Sequence, residues 1–331
     1  MAQNPTSKAH GKQIEAGTIG RKNGHKFEAL LATEINKLNG TVFTPTNNTS
    51  HLSQGNPAYN LLQYISNNQH IVIKSVKASW LGGLATSGLG DAITDDNGNP
   101  ITKSKSDVLI KIQTPDATKT IGISVKTCNK KTPTNDQMFF TTARAFCQLL
   151  SNNGITVSKE ATAGLSMFCG DAGYRPVDRM SKDALVARKL DPNRYYWEEL
   201  SKQAQNDWNK IISDNQDRIS LLLFQKAYKD DPFPPEYLLH QTVKYTDFND
   251  CETAIFSMNE IIKLSRMHSR FGLSEYRIYK GTYKNKDIIH LAPRFGFIQF
   301  QRSGQKVHPT QLQFNLKSGY FYILNDYFDK I

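Results

Sequence analysis

An aspartate and a lysine stand on two neighbouring stretches of the chain that both alternate apolar and polar residues. Asp107 directly precedes the first stretch and Lys126 lies near the end of the second, with the break Thr114-Pro115-Asp116 between them. The alternation predicts a β-hairpin whose core-facing side chains are Val108, Ile110 and Ile112 on one strand and Ile121, Ile123 and Val125 on the other. The carboxylate and the ammonium then project from adjacent strands on the same side. A carboxylate that holds Mg²⁺, beside a lysine that orients or deprotonates water, suits hydrolysis of a phosphodiester bond.

The tripeptide Ser-Val-Lys occurs twice, and its two copies differ in the acids around them. The first copy ends at Lys77, within a stretch from Ile35 to Gly90 that contains no Asp or Glu. The second copy ends at Lys126 and has Asp107 on the paired strand. We therefore predict that Lys126, and not Lys77, is the catalytic lysine.

Three segments together resemble the PD-(D/E)xK nuclease superfamily, most of all its type II restriction endonucleases. They are Ser106–Ile110, then Ile123–Lys126 across the hairpin, and an upstream helix that opens with Gly24–Glu28. The resemblance covers about residues 20–150. It implies an α/β (α+β) fold, in which helices flank a central mixed β-sheet, and Mg²⁺-dependent cleavage of double-stranded DNA. It also implies that Asp107 is a metal ligand, the carbonyl of Val125 a second ligand, and Lys126 the catalytic lysine.

The chain departs from the family pattern at Ser124, which stands where the family usually has Asp or Glu. A neutral hydroxyl is a poor ligand for a hard cation, so the missing carboxylate is expected from elsewhere in the fold. Glu28 is the first choice, because its Gly-x-x-x-Glu spacing matches the first-helix glutamate of the family. Glu34 is the second choice and Asp136 the third.

The remaining patterns predict the elements that would hold these residues. Apolar residues three or four apart predict a helix through Phe27–Leu38, which ends at Asn39-Gly40. Further along, the sequence predicts a strand at 71–76, a helix from Thr134 or Asn135 to Asn152, a long helix from Asp191-Pro192 through Ile211, a strand at 219–224, a helix over 254–265, and a β-rich region from Tyr276 onward.

Length and composition indicate a two-domain protein with an anionic partner. The 331 residues exceed the usual size of a single core, and 41 Lys and Arg against 30 Asp and Glu give a net charge of +11. We divide the chain into a flexible basic arm (1–20), a nuclease core (21–155) and a helical and β-rich DNA-recognition and dimerisation region (156–331).

Several classes of function are excluded on sequence grounds. The four cysteines form no CxxC pair, which argues against structural zinc, and the chain begins without a signal segment, so a reduced cytoplasmic protein is expected. No apolar run of membrane length occurs, so no membrane partner is expected. The Gly-rich stretch Gly82–Gly90 lacks a Gly-Lys-Ser/Thr ending, which argues against a nucleotide cofactor.

The positive charge is concentrated near the end of the chain. Residues 260–331 hold 12 Lys and Arg against 5 acids, which is +7 of the total. Arginine can bind guanine bidentately and glutamine can bind adenine, so this segment has the chemistry of a base-reading surface. An ordinary antiparallel sheet with a Gln-rich outer face is the alternative. The candidate DNA-binding residues are Arg294, Gln299, Gln301, Arg302, Lys306, His308, Gln311 and Gln313.

These features predict a Mg²⁺-dependent, sequence-specific DNA endonuclease of the restriction type. A homodimer is expected because cutting both strands of a symmetric site needs two active centres related by a two-fold axis. Two alternatives stay open. One is a DNA repair or junction-resolving nuclease of the same fold, and the other is a non-cleaving DNA-binding protein in which Ser124 marks a decayed site.

Overall fold

The computed structural model of the chain describes residues 8–47, 50–82, 90–95, 97–132, 135–225, 231–279, 282–302, 310–317, 319 and 322–323. It divides into two compact units, each built from more than one segment of the chain. The first unit comprises residues 1–134, 224–261 and 318–331, and the second comprises 135–223 and 262–317.

The described residues form the following helices and strands. The helices are α1 (Lys8–Lys37), α2 (Pro57–Gln69), α3 (Ala143–Asn152), α4 (Lys159–Cys169), α5 (Pro176–Arg179), α6 (Lys182–Arg188), α7 (Lys202–Gln225) and α8 (Met258–His268). The strands are β1 (Leu52–Gly55), β2 (Ser75–Trp80), β3 (Val108–Gln113), β4 (Thr118–Thr127), β5 (Asp136–Thr141), β6 (Pro235–Gln241), β7 (Cys251–Ser257), β8 (Gly272–Ile278), β9 (Asn285–Phe295), β10 (Ile298–Arg302) and β11 (Leu312–Leu316).

The first unit contains a six-stranded mixed sheet in the order β1-β7-β6-β4-β3-β2. Its β4–β6 pair is parallel, and the other pairs are antiparallel. Helices α1 and α2 contribute Phe27, Leu31, Leu61 and Ile65 to the same buried core as the sheet. The predicted α/β class, with helices packed on a central mixed sheet, is confirmed.

The predicted hairpin is present as β3 and β4. Val108 pairs with Ile123 and Ile112 with Lys119, and the alternate apolar side chains of both strands are buried. Burial of one face fixes the register, because a slip of one residue would turn every apolar side chain away from the core. The register therefore also fixes where Asp107 and Lys126 lie.

Helix α1 ends where the sequence predicts, and α2 lies where no element was predicted. After α1 the chain turns at Gly40 with φ 89°, a conformation that favours glycine. Helix α2 begins at Asn56, whose side chain accepts hydrogen bonds from the backbone N–H groups of Ala58 and Tyr59, with Pro57 in the first turn. An Asn followed by Pro is a usable sequence signal for a helix start, and here it lies within a stretch rich in Asn and Thr.

The second unit contains a five-stranded antiparallel sheet in the order β5-β11-β10-β9-β8. Its buried side includes Phe295, Phe300 and Phe314, and α3 and α7 bring Phe146 and Trp208 against them. The β-rich region predicted from Tyr276 onward is confirmed.

Several predicted elements are wrong in type or in bounds. Residues 136–141 are strand β5, so the helix predicted from Thr134 or Asn135 is confined to α3, which Thr142 caps. The predicted strand at 219–224 lies inside α7, and the predicted helix over 254–265 begins as strand β7. No helix starts at Asp191-Pro192; a 3-10 turn at Trp197–Glu199 precedes α7. The strand predicted at 71–76 runs instead from Ser75 to Trp80.

The units do not follow the single boundary expected near residue 155. Residues 224–261 belong with the first unit, because β6 and β7 complete its sheet. Residues 8–20 of the expected flexible arm are part of α1, while residues 1–7 and most of the Gly82–Gly90 stretch lie outside the described residues. Among the described helices none is both long enough and apolar enough to cross a membrane.

Gly122 is expected to be intolerant of a side chain. A Cβ there would lie 2.2 Å from Ser106 Oγ and 2.9 Å from the carbonyl oxygens of Phe233 and Pro234. Gly122→Ala should lower the free energy of unfolding by about 1–3 kcal/mol, the usual cost of overpacking. Urea denaturation would measure it, with Gly20→Ala as the control, since a Cβ at Gly20 meets no atom within 4 Å. Equal effects of the two substitutions would contradict the assignment.

Candidate active site

Asp107 is held by the hairpin that follows it. Its backbone N–H donates to the Ile123 carbonyl at 2.8 Å, which continues the β3–β4 pairing by one residue. Its Oδ2 accepts the backbone N–H of Val125 at 2.6 Å and the Ser124 hydroxyl at 3.4 Å. The carboxylate is thus oriented mainly by backbone of the neighbouring strand, which leaves little freedom for it to swing away.

Lys126 extends over the same carboxylate. Its Nζ lies 3.7 Å from Asp107 Oδ2 and donates to the Val125 carbonyl at 3.0 Å. The two charged side chains retain 22% and 28% of their exposure, so water reaches both of them. This partial exposure makes the ion pair a weak contributor to stability but leaves both groups available to a ligand.

Glu28 reaches the same place from α1. It is 7% exposed, and its Oε2 accepts the indole N–H of Trp80 at 3.2 Å. Burial, and next the nearby carboxylate of Asp107, raise the pKa of Glu28 to about 8, against the opposing effects of Trp80 and Lys126. A buried carboxyl beside a second one is unfavourable when ionised, unless a cation joins them.

The donor set fits a hard divalent cation. Glu28 and Asp107 supply carboxylate oxygens and Val125 a carbonyl oxygen, the ligand types that Mg²⁺ prefers. Ser124 is buried and contributes only a hydroxyl, so Glu28 and Asp107 are the two carboxylates of this donor set. In the part of the chain that the structure describes, no group of three or more His, Cys, Asp or Glu side chains is gathered tightly enough to hold a metal.

Two residues that the sequence analysis did not single out belong to this site. Trp80 ends β2 and pairs with Val108, which places its indole beside Glu28. Lys105 lies two residues before Asp107, and desolvation, and next the charge of Lys126, lower its pKa to about 8. The spacing Lys105-Ser106-Asp107 was a usable signal for the lysine, because alternate residues of an extended chain share a side. No local signal marked Trp80.

The segment before β3 is anchored by a distant loop. Asp231 accepts the backbone N–H of Lys105 at 2.6 Å, and the Ser106 hydroxyl donates to the Phe233 carbonyl at 2.8 Å. The Pro-rich loop Asp231–Pro235 thus fixes the approach to Asp107.

The less favoured residues lie elsewhere. Glu34 forms an ion pair with Lys37 at 2.7 Å, and Asp136 lies in β5 of the second unit. Lys77 is exposed on β2 opposite Lys111, so its cross-strand neighbour is a second cation. Within the first unit the structure therefore brings together Glu28, Asp107, Ser124, Val125 and Lys126, while Glu34 pairs with Lys37 instead.

The candidate DNA-binding glutamines lie on the sheet of the second unit. Gln299 and Gln301 alternate with the buried Phe300, and Gln301 pairs with Gln313 across the sheet. The amides bond to one another in three contacts, Gln301 to Gln299 at 2.9 Å, Gln313 to Gln311 at 3.0 Å and Asn315 to Gln301 at 2.8 Å. We call this surface the amide face.

The candidate basic residues of the same segment differ in their surroundings. Arg294 is half-buried and donates to the Ser269 hydroxyl at 2.9 Å. The Arg302 side chain is 9% exposed and lies 3.2 Å from an oxygen of Asp191, so a base contact would require it to exchange that partner. Lys306 and His308 lie outside the described residues.

Comparison with known proteins gives a distant structural similarity. No protein-family model matches the chain, and a search of curated proteins finds no significant match. Among solved structures, that of the restriction endonuclease MspI in complex with its cognate DNA is similar, with a TM-score of 0.39 and 11% sequence identity. The similarity covers 73% of this chain and 71% of that chain. A similarity at this level assigns no activity to the chain.

The raised pKa of Glu28 predicts a pH-dependent stability. Between about pH 4.5 and about pH 8 the folded chain keeps a proton on Glu28 that the unfolded chain has released, so the free energy of unfolding falls as the pH rises. Glu28→Gln removes this group, and the decline over that window should become shallower. Urea denaturation of both proteins in metal-free buffer across the window would show it. Parallel pH profiles would contradict the burial of an ionisable carboxyl at this position.

Proposed function

We propose that the chain is a Mg²⁺-dependent endonuclease that hydrolyses phosphodiester bonds of double-stranded DNA at specific sequences, as type II restriction enzymes do. The observation that carries the proposal is the grouping of Asp107, Glu28 and Lys126, with the ammonium 3.7 Å from one carboxylate. An acid and a lysine on a hairpin, with a second acid from α1, are the groups that metal-assisted phosphodiester hydrolysis needs.

Each of these residues has a distinct part in the proposed reaction. Asp107, Glu28 and the Val125 carbonyl would hold Mg²⁺, which when bound supplies positive charge to the phosphate and acidifies the attacking water. Glu28 must lose its proton for this, so metal binding releases a proton and strengthens as the pH rises toward about 8. Lys126 orients the water, and the N–H of Val125 keeps Asp107 in place.

Charge and surface chemistry support DNA as the substrate. A net charge of +11 favours a polyanion, and phosphate contacts dominate affinity for DNA. The amide face supplies groups that can bond to base edges, which supports sequence-specific reading by the second unit. A homodimer remains part of the proposal because a symmetric duplex site calls for two centres.

Incubation with linear and with supercoiled DNA, with and without Mg²⁺, tests the proposal against its two rivals. Discrete fragments that require Mg²⁺ support a restriction-type enzyme. Nicks that depend on DNA structure would indicate a repair or junction-resolving nuclease. Retarded bands without cleavage would indicate a DNA-binding protein whose hydroxyl at Ser124 reflects a lost activity.

Removal of either central group should abolish cleavage. Asp107→Ala and Lys126→Ala are each expected to lower the cleavage rate by about a hundredfold or more, because a metal ligand or the water-orienting group is lost. Binding in Ca²⁺ should stay within a few-fold of wild type. Lys77→Ala is the matched control, since it truncates the lysine of the other Ser-Val-Lys copy. Wild-type cleavage by Lys126→Ala would show that the site is misassigned.

The origin of the second carboxylate gives a separate test. Since Ser124 carries no charge, Glu28→Gln should impair cleavage strongly and raise the Mg²⁺ concentration required, whereas Ser124→Ala should have a much smaller effect. Metal titrations of the cleavage rate would compare the two variants. If Glu28→Gln kept the wild-type Mg²⁺ dependence, the ligand would have to be another acid.

A further inference from the structure

A cavity lies beside the candidate active site, within the first unit. Its volume is about 210 Å³. It is lined by α1 and by the segments that follow β4 and β6, with Asn23, Lys26, Phe27, Thr127, Cys128, Asn129, Gln241, Lys244 and Tyr245. None of the residues proposed for catalysis lines it.

The wall of this cavity is firmly built. The Gln241 side chain accepts the backbone N–H of Cys128 at 3.0 Å and donates to the Cys128 carbonyl at 2.9 Å. The backbone N–H of Lys244 donates to the Lys130 carbonyl at 2.7 Å, so the segments after β4 and β6 are tied at two points. The rings of Phe27 and Tyr245 pack at 5.6 Å behind them.

The chemistry of the cavity is that of an anion site. Its two charged groups, the exposed ammoniums of Lys26 and Lys244, are both cationic, and no carboxylate is among the lining residues. Within the described residues neither ammonium takes part in an ion pair. Thr127 and Asn129 add a hydroxyl and an amide, which suits a phosphate group that accepts several hydrogen bonds.

The cavity adjoins the active site on two elements. Thr127 directly follows Lys126 on β4, and Phe27 directly precedes Glu28 on α1, so the wall of the cavity and the candidate site share two elements. Because a DNA strand carries a phosphate at every nucleotide, a strand with one phosphate at Asp107 presents further phosphates on either side of it. The lysines of a cavity on the same two elements are placed to bind such a neighbouring phosphate.

We propose that Lys26 and Lys244 bind a backbone phosphate of the same strand, next to or one beyond the phosphate that is cleaved. This assignment rests on the proposed nuclease function. The cavity would then hold the DNA strand so that the phosphate to be cleaved lies at Asp107. A lysine that binds a phosphate makes no contact with a base, so the proposed contact is independent of sequence.

The test compares six variants on a duplex without any required sequence. Lys26→Ala and Lys244→Ala should each reduce the slope of log affinity against log salt by about one, and the double variant by about two, as expected for lost phosphate contacts. Lys26→Arg and Lys244→Arg should retain the wild-type slope. Lys37→Ala, which removes an exposed lysine further along α1, is the control and should leave the slope unchanged. Fluorescence anisotropy in Ca²⁺ measures these slopes, and thermal denaturation checks folding.

A second arm separates a DNA phosphate from a free one. A series of duplexes carries a single neutral methylphosphonate at successive positions of one strand. At one position the wild-type protein should lose affinity, while the double variant should not. Inorganic phosphate, followed by ³¹P NMR, should bind too weakly to compete with duplex. Slopes unchanged in the double variant, or phosphate binding that depends on the lysines without any change in slope, would overturn the assignment. If either result were obtained while the wild-type protein still cleaved DNA in the presence of Mg²⁺, the nuclease proposal would stand and only the phosphate-site assignment would fail. If the wild-type protein did not bind DNA at all, both the nuclease proposal and the phosphate-site assignment would be overturned.

Discussion

The hydrogen bond from the backbone N–H of Val125 to the carboxylate of Asp107, at 2.6 Å, is the contact on which the candidate site depends. It joins the residue before β3 to the strand that carries Lys126, so the pairing of two strands also sets the spacing of two charged groups. The register of that pair is imposed by burial of one apolar face. The geometry of the candidate site is thus obtained from the same constraint that forms the core.

The sequence could predict the hairpin because its alternation is long, regular and bounded by a turn. Prediction from sequence was wrong where a short apolar run is compatible with either a helix or a strand. The run Ile219–Phe224 suits a strand by composition, yet it continues the helical face of α7, and residues 136–141 join a sheet whose partner β11 lies far along the chain. Such choices are made by tertiary packing, which overrides local preference.

The same division applies to the site. Asp107 and Lys126 could be placed from sequence because they belong to one hairpin, and Glu28 because a glycine four residues earlier matched a known pattern. Trp80 could not be found, since its contact with Glu28 requires β2 to be the edge neighbour of β3 and α1 to pack against β2. Asp231 precedes β6 and reaches Lys105 only because β6 pairs with β4, a partner far away in the sequence.

The parallel pairing of β4 with β6 has a consequence for synthesis of the chain. The tied residues Cys128 and Gln241 are 113 positions apart, and most of the second unit is made between them. During translation β4 is made long before β6, so the β4 edge of the β3–β4 hairpin stays unpaired until β6 has been made. The six-stranded sheet therefore cannot be completed until residues 135–223, which are most of the second unit, and then β6 and β7 have been translated.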